Sequence, residues 1–241
     1  MKKIISLILA LLMLTLCFAF TACDTTDNTL TSSTDSSTKP TEKPTDKVTD
    51  APHTAPKLED IDFSTIETLD GVNESASETD YVKITVRGYG EMIIRLYPDV
   101  APATVANFKK LVGEKFYDGL IFHRVIKNFM IQGGDPLGTG MGGSNATIKG
   151  EFSSNGFENN LLHTKGVLSM ARSSAPNSAS SQFFICHKTK SHLDGDYAAF
   201  GYVIYGLDVV DAIASVSTDN NDRPREDVVI ESIRFVTIPN N

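Results

Sequence analysis

From Tyr81 onward the chain alternates. Val82, Ile84 and Val86 are apolar while Lys83, Thr85 and Arg87 are polar, the two-residue period of a half-buried strand. Gly88-Tyr89-Gly90 interrupts the run, and Met92, Ile94 and Leu96 resume it, so the two runs predict a hairpin. The period then changes. Val105, Phe108 and Val112 fall on one face of a helix whose first turn suits Pro102. Further strands are predicted near residues 121–125, 129–133, 166–171, 182–186, 199–204 and 228–236. A second helix is predicted over 207–215, with Leu207, Val210, Ile213 and Ala214 along one side. The fold class is therefore mainly β. The expected form is a closed eight-stranded antiparallel barrel with two capping α-helices, because closure removes exposed sheet edges.

Upstream of residue 79 the pattern is different. Lys2 and Lys3 precede an uncharged, largely apolar run over residues 4–20, the layout of a secretory signal. Phe20-Thr21-Ala22-Cys23 resembles a bacterial lipobox, whose cysteine becomes the acylated N-terminus. A thiolate is the nucleophile that takes up the lipid, and stable anchoring needs at least two acyl chains. The expectation is a signal peptide over residues 1–22, lipidation at Cys23, and a membrane-anchored protein on the extracytoplasmic face. Residues 24–78 are rich in Ser, Thr, Pro, Asp and Lys, too poor in apolar surface to offset ordering entropy. They are read as a disordered tether spanning about 40 Å as a flexible coil. Two short apolar patches, residues 61–63 and 66–69, interrupt that composition, and the sequence leaves open whether they dock on the domain over 79–241.

Composition narrows the function. Apolar residues make up 41% of 241 residues, enough for a sizeable core, and the formal net charge is −8. An acidic balance argues against nucleic-acid binding, which needs a basic face to release phosphate counterions. The three cysteines, Cys17, Cys23 and Cys186, and the histidines lack metal-ligand spacing, so no metal or other cofactor is expected. Gly138-Thr139-Gly140-Met141-Gly142-Gly143 formally fits GxGxxG. A dinucleotide site requires strand, glycine turn and helix, and no helix is predicted after it. No GxSxG elbow marks a hydrolase. A monomer is the default.

One segment is far more specific. Phe122-His123-Arg124-Val125-Ile126-Lys127-Asn128-Phe129-Met130-Ile131-Gln132-Gly133-Gly134-Asp135 closely resembles the central signature of the cyclophilins. Four further stretches agree in order: residues 101–108, 166–171, 181–185, and Leu193-Asp194-Gly195 followed by Phe200-Gly201. The resemblance covers about residues 80–238. It implies an eight-stranded barrel with two capping helices and cis/trans isomerisation of Xaa-Pro bonds.

Carried over by position, the resemblance makes Arg124 the catalytic arginine. Phe129, Met130, Phe184 and Leu193 would receive the proline ring. Gln132 would orient Arg124 and touch the peptide, while Ala171, Arg172 and Gln182 would line the neighbouring groove. Arg172 stands where the family commonly has Asn. His192 and Tyr197 stand where many eukaryotic members have Trp and His, and the lost indole donor implies weak cyclosporin binding. The partners implied are Xaa-Pro segments of exported polypeptides. Two readings remain open: an isomerase that speeds folding of exported proteins, and a proline-peptide binding chaperone or adhesin with little turnover.

Overall fold

The computed structural model describes residues 53–239. The signal segment, Cys23 and the tether up to residue 52 lie outside the described residues. Nine antiparallel strands form one sheet, β1 (Asn73–Glu74), β2 (Tyr81–Val86), β3 (Gly90–Leu96), β4 (Arg124–Ile126), β5 (Met130–Gly133), β6 (Val167–Met170), β7 (Phe183–Cys186), β8 (Ala199–Tyr205) and β9 (Ile230–Thr237), in the order β1-β9-β2-β3-β8-β6-β7-β5-β4. Two helices accompany them, α1 (Pro102–Gly113) and α2 (Leu207–Ile213).

The expected closed barrel is corrected here. No strand ladder joins β4 to β1 or β9 among the described residues. The ends approach only through the residues before β4, with a single bridge between Ile121 and Val229 and bonds such as Phe122 N–H to Val228 O at 2.9 Å. The strand that ends the order, β4, is only three residues long and pairs with β5 alone, so hydrophobic filling rather than a continuous ladder brings the ends together. The ninth strand, β1, pairs with β9 over two residues. Nothing in its two-residue composition marks it.

The alternating positions face the interior. Val82, Ile84, Met92, Ile94 and Leu96 are essentially inaccessible, and Phe108, Tyr117, Phe122, Phe183 and Phe200 fill the centre. Helix α1 begins at Pro102, which lacks the N–H that would otherwise be orphaned there. The buried Glu151 carboxylate accepts the next two N–H groups, from Ala103 at 2.9 Å and Thr104 at 2.8 Å. That pairing suits the positive end of a helix. Helix α2 starts after Gly206, whose positive φ and contact with the Glu91 carbonyl leave no room for a Cβ.

Part of the presumed tether is folded. Ile61 buries against Tyr97, Val100, Leu161, Val167 and Ala199. Ile66 donates its N–H to the Ile204 carbonyl at 3.0 Å, and Ile66, Leu69 and Val72 pack on Ile93, Ile204 and Val236. The Tyr97 hydroxyl donates to the Asp62 carbonyl at 2.6 Å, and Arg95 pairs with the Asp62 carboxylate. Residues 61–74 thus form a strap over the outer face of β3, β8 and β9. The patches at 61–63 and 66–69 dock, and the tether boundary drawn at residue 78 on composition falls inside folded chain.

Candidate active site

Strands β4, β5, β7 and β6 carry a shared rung. Arg124 lies opposite Gln132, Gln132 opposite Phe184, and Phe184 opposite Ser169. Side chains at one rung of adjacent strands face the same way. The next rung of the same face holds Ile126, Met130 and Cys186. The residues that alternate with them, Val125, Ile131, Phe183 and Ile185, point into the core. Both faces of β6 and β7 are buried, which is why alternation in those strands is faint.

On the outward face a separate apolar cluster forms from Met130, Phe184, Cys186 and Leu193, with Ile126, Phe129, Ala171 and Tyr197 against it. It surrounds a cavity of about 170 Å³ lined by Arg124, Phe129, Met130, Gln132, Ala171, Arg172, Phe184, Leu193 and Tyr197. Drug-sized sites begin near ~300 Å³, so this space suits a single side chain. A second cavity of about 360 Å³ adjoins it, sharing Gln132, Ala171 and Arg172 and adding Gln182, Gly140, Met141 and Gly142. Of the residues implied by the sequence, only His192 lines neither cavity. It sits exposed at the rim, its ring 5.9 Å from Phe129.

Phe184 is fixed from behind. It stacks on His163 with ring centres 6.0 Å apart, and Tyr197 meets its edge at 5.9 Å. His163 is 1% exposed and spans Asp194 Oδ1 and Ser169 Oγ, each at 2.9 Å. Burial pushes its pKa below the usual histidine value, opposed by Asp194. The Ser169–His163–Asp194 chain has hydrolase-like spacing, but Ser169 is wholly buried and borders no cavity found among the described residues. Its visible effect is to seat Phe184.

The polar side of the groove is an amide relay. Gln132 Nε2 donates to Gln182 Oε1 at 2.9 Å, and Gln182 Nε2 donates to the carbonyls of Gly140 at 3.0 Å and Gly142 at 2.7 Å. The buried Asp135 carboxylate accepts from Leu137, Thr139 and Gly140 N–H, and these bonds hold its pKa below the ordinary range against burial. The glycine-rich loop is thus a wall of the groove. At Gly142 a Cβ would strike the Asp135 carboxylate.

Arg124 departs from expectation. Gln132 faces it across the β4–β5 pair, yet Gln132's amide is engaged with Gln182. The contact Arg124 makes is an ion pair from Nε to Asp222 Oδ2 at 3.4 Å, with the two side chains 42% and 41% exposed. Asp222 adopts a left-handed backbone at φ 64°, and its carbonyl accepts the Val125 N–H at 2.8 Å. No sequence signal marked Asp222. The Asn221-Asp222 turn is its only trace, because Asn and Asp tolerate that conformation. Cys186 is free and wholly buried, and burial raises its thiol pKa to about 12, so it stays an apolar filler. Among the described residues no group of His, Cys, Asp and Glu is arranged to hold a metal ion.

The outer-face groove, with its side-chain-sized apolar cavity and Arg124 in the lining, is the candidate site of this β protein. The family model for cyclophilin type peptidyl-prolyl cis-trans isomerase/CLD matches residues 81–235, and the chain belongs to this family of enzymes. It is 46% identical over 142 residues to the peptidyl-prolyl cis-trans isomerase ppi1 of Schizosaccharomyces pombe, covering 58% of this chain and 90% of that one. It is 41% identical over 181 residues to a Streptococcus pyogenes protein named as a bifunctional phosphatase/peptidyl-prolyl cis-trans isomerase, covering 63% of this chain and only 38% of that one. A crystal structure of a cyclophilin type peptidyl-prolyl cis-trans isomerase from Cryptosporidium parvum, in the presence of the dipeptide Ala-Pro, is similar with a TM-score of 0.60 and 33% identity, covering 67% of this chain and 99% of that one.

Proposed function

We propose that this protein accelerates cis/trans exchange of Xaa-Pro bonds in exported polypeptides, from a lipid anchor at Cys23 on the extracytoplasmic face of the membrane. The observation that carries the isomerase reading is that Arg124 lines the same cavity as Phe129, Met130, Phe184 and Leu193. The anchor and location rest on the residues before 24 alone.

The chemistry follows from the amide. Exchange crosses a barrier of ~18–20 kcal/mol set by amide resonance, and takes ~10–100 s uncatalysed. No bond is broken, so the enzyme need only bind the twisted amide better than either planar form. Twisting localises a lone pair on the prolyl nitrogen. The apolar cavity holds the ring while the preceding carbonyl turns. Asp222 occupies the Nε side of Arg124, leaving its Nη groups to donate to the nitrogen or the turning carbonyl oxygen. The guanidinium stays charged throughout and requires no proton transfer. Phe184, backed by His163, gives the ring a rigid seat, and Met130 adapts to it. His192 at the rim offers no indole donor, so cyclosporin binds weakly in this reading.

NMR exchange spectroscopy on an Xaa-Pro peptide tests the proposal. Rapid exchange with the protein and its loss in Arg124→Ala support it. A folded protein that binds the peptide without speeding exchange is instead a binding module.

A further inference from the structure

Arg172 occupies an unusual position among the arginines. Arg87, Arg95, Arg124, Arg223 and Arg234 each pair with a carboxylate. Arg172 and the exposed Arg225 have no such partner among the described residues. Arg172 is nevertheless rigidly held. Its Nε donates to the Asp196 carbonyl at 2.9 Å and its Nη1 to the Ser173 carbonyl at 3.0 Å. Its guanidinium carbon lies 5.0 Å from the Phe152 ring centre and 4.7 Å from that of Tyr197. The ring contacts and the carbonyl bonds constrain the guanidinium, and no carboxylate pairs with it among the described residues. No partner for Nη2 occurs among the described residues.

That fixed cation stands in the groove itself. Arg172 lines both the proline-sized cavity and the larger cavity beside it. The other arginine at the groove, Arg124, is already paired with Asp222. An uncompensated guanidinium with a pre-set plane matches a carboxylate, and its fixed rotamer lowers the entropy lost on binding. An extended peptide advances about 3.3 Å per residue, so a chain seated with its proline in the smaller cavity passes Arg172 within one to three residues.

We infer that Arg172 makes this groove selective for proline segments that carry an Asp or Glu one to three positions from the proline. The inference rests on the peptide-binding reading of the groove and adds a substrate class to it. Neutral segments still bind through the apolar cavity. Segments with Lys or Arg at the same position are disfavoured by like charge.

The test uses the full chain and a neutral proline heptapeptide, with single Glu, Gln or Lys replacements at each of three positions on either side of the proline. Dissociation constants come from NMR titration, and kcat/KM from exchange on the same samples. At low salt, Glu at one position is expected to bind about five- to tenfold tighter than Gln there, as a charge-assisted contact at a half-exposed site allows. High salt shrinks that ratio. Arg172→Gln brings it to about one, and Arg172→Glu shifts the preference to Lys. Equal affinity for Glu and Gln at every position in the wild type overturns the inference, as does a Glu advantage that survives in folded Arg172→Gln. If Arg172→Gln fails to fold, Arg172→Lys and Arg172→Met replace it. Because Lys keeps the charge, Arg172→Lys reads only the planar fork. Arg172→Met keeps the stem against Phe152 and Tyr197 and reads the charge. A Glu advantage that survives in folded Arg172→Met overturns the inference. Peptides that bind without exchanging overturn the isomerase reading alone, and the dissociation constants still decide the role of Arg172.

Discussion

The sheet presents apolar side chains on two separate stretches of its outer surface. One, over β3, β8 and β9, is built from Ile93, Ile204 and Val236 and is covered by Ile66, Leu69 and Val72 of the strap. The other, over β5 and β7, is built from Met130, Phe184 and Cys186, and beside it a cavity stays open, bordered by Leu193 and Tyr197. The physical chemistry of burial is the same in both. What differs is where the covering group comes from. Where the chain supplies it, burial becomes folding stability. Where the cover is left out, the same surface is held ready for a foreign side chain, and a charged group can be stationed at its edge. A binding site of this kind is an outer core left one residue short.

Substitutions on the two faces should therefore separate cleanly. The largest expected effect is at the open face: Arg124→Ala lowers kcat/KM by at least about a hundredfold, as loss of one preorganised donor does, with the melting temperature nearly unchanged. In the strap that supplies the cover, Ile61→Ala, which empties the strap's neighbouring contact with Tyr97, Val100 and Leu161, should cost about 2–4 kcal/mol, a drop in melting temperature of roughly 5–15 °C for a domain of this size, with exchange catalysis by the folded fraction intact. A melting temperature unmoved by Ile61→Ala would break the comparison, because the strap would then contribute nothing.

Asp222→Asn is a smaller and sharper probe. Asn keeps the left-handed turn, while the half-exposed ion pair contributes only ~0–1 kcal/mol. The expected result is about a threefold fall in kcat with KM and stability unchanged, checked by saturation kinetics. The smallest effect is in pH. His123, His163 and His187 are buried, and burial lowers all three below 6.5. Their stabilising contribution is complete above the unfolded value of about 6.5 and drains away as pH falls from there to the lowered folded values. Thermal denaturation between pH 7 and pH 5 should show a declining melting temperature, and a flat profile would mean that the three rings accept protons without strain.

The two faces also differ in how well the sequence announces them. The hairpin over β2 and β3 is readable because β2 buries one face and leaves the other half-exposed, so Val82, Ile84 and Val86 alternate with polar neighbours, and Met92, Ile94 and Leu96 keep that period in β3 although the strap also covers Ile93. The groove residues were legible through resemblance, since the Arg124 signature and the Phe184 and Leu193 stretches sit at matching positions. Periodicity alone would have given Phe183 and Phe184 only opposite faces. The strap was obscured because extended chain lying on a surface needs no repeat. Ile61, Ile66, Leu69 and Val72 are spaced irregularly among Ser, Thr and Asp, so composition favoured tether. Strand count does not reveal whether the last ladder forms, so closure is not readable from the sequence. Asp222 escaped because its partner, Arg124, is distant in sequence and joined to it only by the fold.

The rung shared by Arg124, Gln132, Phe184 and Ser169 limits how such a site can drift over generations. Side chains along a strand change face with every residue. A single-residue insertion within β5 or β7 would turn the groove set inward and the core set outward together, losing folding and activity in one event. Length changes are therefore confined to loops such as the turn at residues 127–129 and the glycine-rich segment after Asp135. Within the strands, lineages can move only by replacement, one side chain at a time. Arg172, placed just beyond the end of β6, lies where a replacement alters what the groove accepts without disturbing the rung beneath it.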